Sequence, residues 1–401
     1  MNEYKTVYNF FKKPIKIPKN WDYVKYSDEL IEKETPVIFD DNTKYDLITV
    51  KRRNKGLILR ETLEGHQIKV KKLFDVDEGD FLIAEMQIIH GASGLVPKNL
   101  ADAKISGSYL RFKSQPSLNL EYLNLFSHTP LFNQHTFISS VGSNLEKMNF
   151  NKKHWLNHFF PKPPRKEQDK IVEIINNLSK LIQNTEKIII ETKRLKQGLI
   201  QKLLKRGIDH TKFKKVKWFF GKEIEIPEEW EMKKLGSIIT LQRGHDLPIQ
   251  ERNQGEIPIM GSNGIVGFHD KMTTDGDGVV MGRSGTLGII YYVDTDYWAL
   301  NTTLYVKKFF SSYPKFVYYL LQTINYVQFN AGTGVPTLNR NYLHPLKMPF
   351  PKKISEQQKI ATILSNVDNK TESYEKYKEK LLELKKSLLL KLVTGEIRVK
   401  V

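Results

Sequence analysis

The sequence predicts an α+β protein built twice over. Two similar globular segments of twisted β-sheet with helices and long loops are separated by a pair of long antiparallel coiled-coil helices. The first observation behind this is a repeat: EQDKIVEIINNLSKLIQ, beginning at Glu167, returns as EQQKIATILSNVDNKTE, beginning at Glu356. The second is a shared opening, with Ile17, Pro18 and Trp21 in one half and Ile226, Pro227 and Trp230 in the other. The third is the texture between these landmarks. Short alternating runs such as GVVMGR and GIIYYV, broken by Gly, Asn and Asp, suit half-buried strands joined by long loops. The chain accordingly divides into a globular segment (residues 1–160), a long helix (161–210), a second globular segment (211–350) and a second long helix (351–401).

Aligned at a constant offset, the helical copies keep their apolar positions in register. Spacing that alternates three and four predicts a heptad seam. In the first copy it is Ile171, Ile174, Leu178, Leu181, Thr185, Ile188, Thr192, Leu195 and Leu199. In the second it is Ile360, Ile363, Val367, Lys370, Tyr374, Tyr377, Leu381, Leu384 and Leu388. A helix of about 35 residues at about 1.5 Å each spans roughly 50 Å. Neither copy can bury its stripe alone, so each is the natural partner of the other. Proline-bearing leads, FPKPPRKEQ from Phe160 and FPKKISEQQ from Phe350, stop the preceding chain. Ser355 with Gln358 reads as a weak capping box, and Gly207 and Gly395 stand where a helix C-terminus favours glycine.

The globular segments share looser landmarks. Gly79-Asp80 before FLIA matches Asp277-Gly278 before VVM, and Glu121 to Leu123 matches Phe316 to Leu320, with a helix near PKFVYYLLQTINYVQF. Between the landmarks they diverge. A repeated scaffold with a divergent interior is the pattern of a module whose variable part reads something.

A chain of 401 residues suits two domains plus connectors. No run approaches the roughly twenty apolar residues of a membrane span. The opening MNEYKTVYNFFKKP has no signal-peptide core, and without cysteine there is neither a disulfide framework nor a thiolate metal site. The expected location is the cytoplasm. A net charge of +18 favours a polyanionic partner. Residues 161–210 carry +6 of it and 351–401 carry +5, so most of the surplus lies on the helical repeats.

Several chemistries are absent from the sequence. It has no GxxxxGK[ST], no [DN]PP[YF] and no GxSxG, and MGRSGTLG lacks GxGxxG spacing. His154 and His158 could share a helix face, but no glutamate follows His154 as in HExxH, and His128 and His135 sit in a polar, loop-like stretch. Metal binding is not expected. The chain reads as a binder, not a catalyst.

These features together resemble the specificity subunits of type I restriction-modification systems, over nearly the whole chain. The resemblance is carried by PKKISEQQKIATIL, KQGLIQKLLKRGI, IPIMGSNGIVGFHD, VVMGRSGTLG, ALNTTLYV and AGTGVPTLNR, duplicated in order around two helices. It implies two target-recognition domains, each reading one half of a split double-stranded DNA sequence. It also implies that the helices fix the gap and dock two methyltransferase subunits, and through them restriction and translocase subunits. S-adenosylmethionine, ATP and Mg2+ would then belong to those partners, with no cofactor on this chain. An alternative is the same scaffold acting outside an active restriction system, as a lone DNA binder or a protein that sequesters methyltransferase.

Base recognition needs side chains that reach groove edges, chiefly Arg, Lys, Asn and Gln. In the second segment the candidates are Arg243, His245, Ser262, Asn263, Arg283, Ser284 and Thr286, with Thr333, Thr337, Asn339 and Arg340 in the late GTGVPTLNR loop. In the first they are Lys51, Arg52 and Arg53 of KRRNKG, Gln87 and His90 of EMQIIHGASGLVP, and Ser106, Ser108 and Arg111. Lys69, Lys71 and Lys72 suit solvent or phosphate.

Overall fold

The computed structural model describes residues 3–142, 148–330 and 335–400. The chain forms two compact units, residues 1–184 with 378–401 and residues 185–377. In the first unit, one antiparallel sheet runs in the order Leu30–Glu32, Tyr109–Ser114, Phe81–Ala84, Ser93–Leu95. A second sheet runs Leu57–Glu64, Lys44–Val50, Lys104–Ser106, Leu73–Asp75, with Lys104–Ser106 parallel to Lys44–Val50. The second unit repeats the plan. Its first sheet is Ile239–Arg243, Thr303–Phe309, Gly278–Gly282, Ile290–Val293. Its other sheet is Gly264–His269, Ile257–Gly261, Trp298–Ala299, again with one parallel pair. Each unit also has a hairpin ahead of its sheets, Tyr4–Tyr8 with Pro14–Pro18 and Phe213–Lys217 with Glu223–Pro227. The alternation expected of GVVMGR and GIIYYV is not what these strands show: Gly278–Gly282, like FLIA, is buried along its whole length as a continuous apolar run, and Ile290–Val293 is buried at its two ends.

The long helices are Arg165–Arg206 and Ile354–Val393. In the second unit they are antiparallel: Lys193 pairs with Glu375 at 2.6 Å and Lys196 with Asp368 at 2.6 Å. In the first unit Ile171 and Ile175 share a core with Leu389 and Leu392. Nearly half of the expected seam is displaced by one residue. Ile171, Leu178, Thr185, Thr192 and Leu199 turn inward and Ile174 stays half-buried against the first core beside Ile175, but Leu181, Ile188 and Leu195 yield to Ile182, Ile189 and Lys196. The second copy makes the same correction: Ile360, Val367, Tyr374, Leu381 and Leu388 hold, while Ile363, Lys370, Tyr377 and Leu384 yield to Leu364, Thr371, Lys378 and Lys385. Leu195 and Leu384 are 55% and 50% exposed. The cause is long-range. Neighbouring apolar pairs such as Ile174-Ile175 and Leu181-Ile182 leave the phase open, and the globular cores settle it by taking in Ile175 and Leu364. Lys196 can occupy a seam position because its stem packs while its ammonium meets Asp368 and the Tyr319 ring.

The repeated Glu-Gln pair has one task in both copies. The Trp21 indole donates to Glu167, and the Trp230 indole donates to Glu356. Gln168 accepts from the Asn119 backbone N–H and donates to the Pro163 carbonyl. Gln357 likewise accepts from Tyr313 N–H and donates to the Pro351 carbonyl. Those two backbone groups stand at the starts of helices Leu120–Phe126 and Pro314–Leu321, so the pair ties a long helix to the helix packed on each sheet. Gly207 and Gly395 both lie in the left-handed region, at φ 64° and 76°. A Cβ at Gly207 would fall 2.6 Å from Glu356 Oε1, and one at Gly395 2.5 Å from Pro18 Cδ.

The helix expected near PKFVYYLLQTINYVQF is Pro314–Leu321, followed by a 3-10 turn at Tyr326–Phe329. Two further expectations need correction. The second helix begins at Ile354, so Ser355 lies within its first turn and is not its cap. His135 is not in a loop. It lies buried in helix Pro130–Ile138, stacked on His158 with ring centroids 4.8 Å apart.

Candidate nucleic-acid interface

In the second unit the buried strand Gly278–Gly282 delivers the chain into a tight loop. Gly282 has no room for a side chain, because a Cβ would overlap the Thr286 carbonyl oxygen and sit 3.2 Å from that of Ser262. The loop is held on two sides. Arg283 and Ser284 N–H groups donate to the Thr302 carbonyl at 2.9 and 3.1 Å, Gly285 N–H donates to Pro336, and Leu338 N–H donates to the Arg283 carbonyl. With the backbone so held, the Arg283 and Ser284 side chains remain partly exposed.

Segment 243–246 is fixed the same way. Gly244 N–H donates to Thr303 and His245 N–H to Ala299, and a Cβ on Gly244 would overlap the Leu300 carbonyl. Asn339 caps the short helix Arg340–Leu343, and Arg340 donates to the Leu241 carbonyl at 3.3 Å. The result is an open cleft of about 760 Å³ lined by Arg243, His245, Arg283, Thr337, Asn339 and Arg340. Residues separated by nearly a hundred positions in sequence thus face one space. Ser284 bridges to Thr337 beside it. Thr286 is half-buried, supplying the carbonyl under Gly282. Ser262 and Asn263 form the two-residue tip of hairpin Ile257–Gly261 and Gly264–His269, with Asn263 exposed. Thr333 lies outside the described residues. Behind the cleft, burial and then the Arg340 charge hold His344 below the usual imidazole range, and its Nε2 accepts from Leu241 N–H.

The first unit places its candidates on the corresponding elements. Lys51, Arg52 and Arg53 are exposed at the turn between Lys44–Val50 and Leu57–Glu64, the place of the Ser262–Asn263 tip. Arg53 and Asn54 are both left-handed, at φ 61° and 53°. They are held there by N–H donation to the carbonyls of His90 and Gly91. A non-glycine pair in that region costs energy and persists because its surroundings over-determine it. Gln87 and His90 sit on the 3-10 turn Glu85–His90, which follows Phe81–Ala84 as the Arg283 loop follows Gly278–Gly282. Ser106 and Ser108 hydroxyls bond each other at 2.8 Å.

Arg111 is a different case. It is 4% exposed, and its guanidinium donates to Asp80 at 2.5 Å, Asp77 at 2.6 Å, Thr35 and the Asp75 carbonyl. Each of its three nitrogens donates within the fold, so the expectation of a base contact is corrected to a structural role. The reading from sequence also passed over Arg60, Gln67 and Lys104, which with Lys69 and Ser106 line a cavity of about 350 Å³ beside that second sheet. Their signal was faint, since Arg60 and Gln67 sit among other polar residues of an exposed strand and turn, and no motif marks Lys104.

Known proteins share this fold and sequence pattern. Residues 227–383 match the family described as the type I restriction modification DNA specificity domain. The chain is 25% identical over 428 residues to the type I restriction enzyme MjaVIII specificity subunit of Methanocaldococcus jannaschii, covering 96% of this chain and 95% of that protein. Over a shorter span of 158 residues it is 28% identical to the EcoprrI specificity subunit of Escherichia coli, covering 38% of this chain and 39% of that one. Among solved structures it resembles the type I restriction-modification S subunit from M. genitalium. That match has a TM-score of 0.57 and 17% identity, covering 93% of this chain and 96% of that one. The HsdS subunit from Thermoanaerobacter tengcongensis matches with a TM-score of 0.52 and 14% identity, over 97% and 100%. Among the described residues no helix is long and apolar enough to cross a membrane.

Proposed function

We infer, the chain being a member of the type I restriction-modification specificity-subunit family, that it selects the DNA sequence on which its complex acts. Each unit reads one half of an asymmetric, two-part target. The observation that carries this reading is that both units share the strand order of one four-stranded sheet and the parallel pair of the other, which is one strand shorter in the second unit, while the polar groups on corresponding loops differ. Two readers of equal build and unlike side chains suit two unlike half-sites. In the second unit, Arg243, Arg283 and Arg340 supply the planar donors that recognise guanine edges bidentately or neutralise phosphates. In the first, the Lys51–Arg53 tip offers cations on a held turn.

The long helices set the gap between half-sites and dock two methyltransferase subunits, with restriction and translocase subunits joining through the complex. The chain itself performs no catalysis. S-adenosylmethionine, ATP and Mg2+ belong to the partners, and the complex works in the cytoplasm. Methylation-aware sequencing of the host genome, with and without this gene, tests the proposal. A split methylated motif that disappears on deletion is the expected result, and an unchanged methylome would refute it in favour of a lone binder or a sequestering protein. Inserting seven residues into each helix tests the spacer role: the gap should change and both sets of letters should stay.

A further inference from the structure

We infer that Asp246 is a specificity-determining residue of the second unit, accepting a hydrogen bond from the exocyclic amino group of cytosine or adenine and disfavouring DNA that lacks it. The inference rests on the DNA-reading role proposed above. Asp246 is the acid among the residues lining the 760 Å³ cleft, facing the same space as Arg243, Arg283 and Arg340. A carboxylate there weakens attraction to every phosphate backbone, whatever the sequence. It therefore favours binding only where a donor on a base answers it, which makes it an element of discrimination.

Its geometry leaves it free to do so. The side chain is 64% exposed. Asn301 Nδ2 donates to Oδ1, while Arg243 Nη2 stands 3.4 Å from both oxygens, at the outer limit of a hydrogen bond. An ionised carboxylate has about four lone-pair sites, so Oδ2 keeps acceptor capacity toward the cleft. The backbone beneath it is fixed by the Gly244 and His245 hydrogen bonds and by the lack of room for a Cβ on Gly244. In the major groove the amino groups of cytosine N4 and adenine N6 are the base donors, whereas guanine O6 and thymine O4 present acceptors that a carboxylate repels.

The test uses the intact complex carrying Asp246→Asn, an isosteric amide that both donates and accepts. Binding is measured to the target duplex and to duplexes with each base pair of the second unit's half-site replaced in turn. The expected result is a loss of discrimination of roughly tenfold or more at one base pair that prefers an amino-bearing base, with the mismatched duplex bound more tightly than by the wild type. Unchanged discrimination at every position overturns the inference. So does uniform weakening on all duplexes, and so does Arg243→Ala relaxing the same base pair to the same extent, which would make Asp246 a positioning residue for Arg243. A wild-type complex with no sequence preference would instead overturn the DNA-reading role itself, and that outcome is visible before any substitution is made.

Discussion

The clasps of the two units invite comparison. Glu167 takes the Trp21 indole at 3.0 Å and the Arg398 guanidinium at 2.8 and 3.0 Å. Glu356 takes the Trp230 indole at 3.2 Å and the His210 imidazole at 2.7 Å. Arg398 lies three residues beyond Gly395, and His210 three beyond Gly207, so the partners are positional equivalents. In both units the chain leaving one long helix returns to the glutamate that opens the other. Duplication has kept the geometry while the charge chemistry changed, from a bidentate permanent cation to a single ring nitrogen. A sharper contrast runs through the interiors. In the first unit Arg111, opposite Leu82, reaches the buried Asp80 carboxylate, whereas the second unit has Tyr305, opposite Val280, and Gly278 in those two places. What is repeated in this molecule is hydrogen-bonded framework, and what varies is the charged groups placed on it.

The largest effect expected from breaking that contrast is at the Arg111 network. Asp80→Ala would leave a guanidinium that is 4% exposed without its buried partner, at a cost of about 3–5 kcal/mol. In urea unfolding followed by fluorescence, the transition of the first unit should move to lower denaturant while that of the second stays in place. Both moving together would show that the units do not unfold separately.

The clasps themselves should differ by less. Glu167→Ala removes two charge-assisted bonds and an indole acceptor and should cost about 2–3 kcal/mol. Glu356→Ala, which removes one imidazole bond and an indole acceptor, should cost about 1–2 kcal/mol. Calorimetry on the two variants ranks them, and equal losses would mean that the change from Arg398 to His210 carries no energetic weight.

The smallest effect concerns pH. The first unit holds His135, His154 and His158 around Ser139, whose hydroxyl contacts the latter two at 3.1 Å, and Tyr26 contacts His135 at 3.2 Å. Burial, then the neighbouring His158, pushes His135 down to about 3. Burial, then His154, pushes His158 down to about 4. For a base depressed in the folded state, the unfolded chain binds more protons. The stability is therefore present above about pH 6.5 and is lost as pH falls from there toward 4 and 3. For His135 the slope is roughly 1 kcal/mol per pH unit. Melting of the wild type and of His135→Asn between pH 7 and 4.5 should converge as the pH drops, and parallel curves would contradict the assignment.

Sequence made the architecture legible because duplication wrote it twice: Glu167 and Glu356, Trp21 and Trp230, Gly207 and Gly395 each marked a helix end or a domain start before their contacts were seen. The seam was legible only to within one residue. Ile174 and Ile175 are equally apolar, and it is the core around Trp21 that buries Ile175 fully and Ile174 only in part, a constraint that local periodicity does not contain. Arg111 was misread for a similar reason, since its partners Asp77 and Asp80 lie more than thirty residues away, in the turn between Leu73–Asp75 and Phe81–Ala84. In the second unit, the glycines of MGRSGTLG marked a loop whose close approach to the Thr286 carbonyl and the Ser262 hairpin only the fold could reveal. Asp246 carried no motif at all. Its interest comes from the three arginines that the fold gathers around the same cleft.

The central claim is that two units of one build read two different half-sites. It is tested most directly by mapping genomic methylation in strains carrying Arg283→Ala or Arg53→Ala. The account predicts that each variant relaxes preference in one half of the motif, that the two halves differ, and that the untouched half keeps its letters. If both variants relax the same half, or either one erodes the whole motif evenly, the claim of separate reading is wrong.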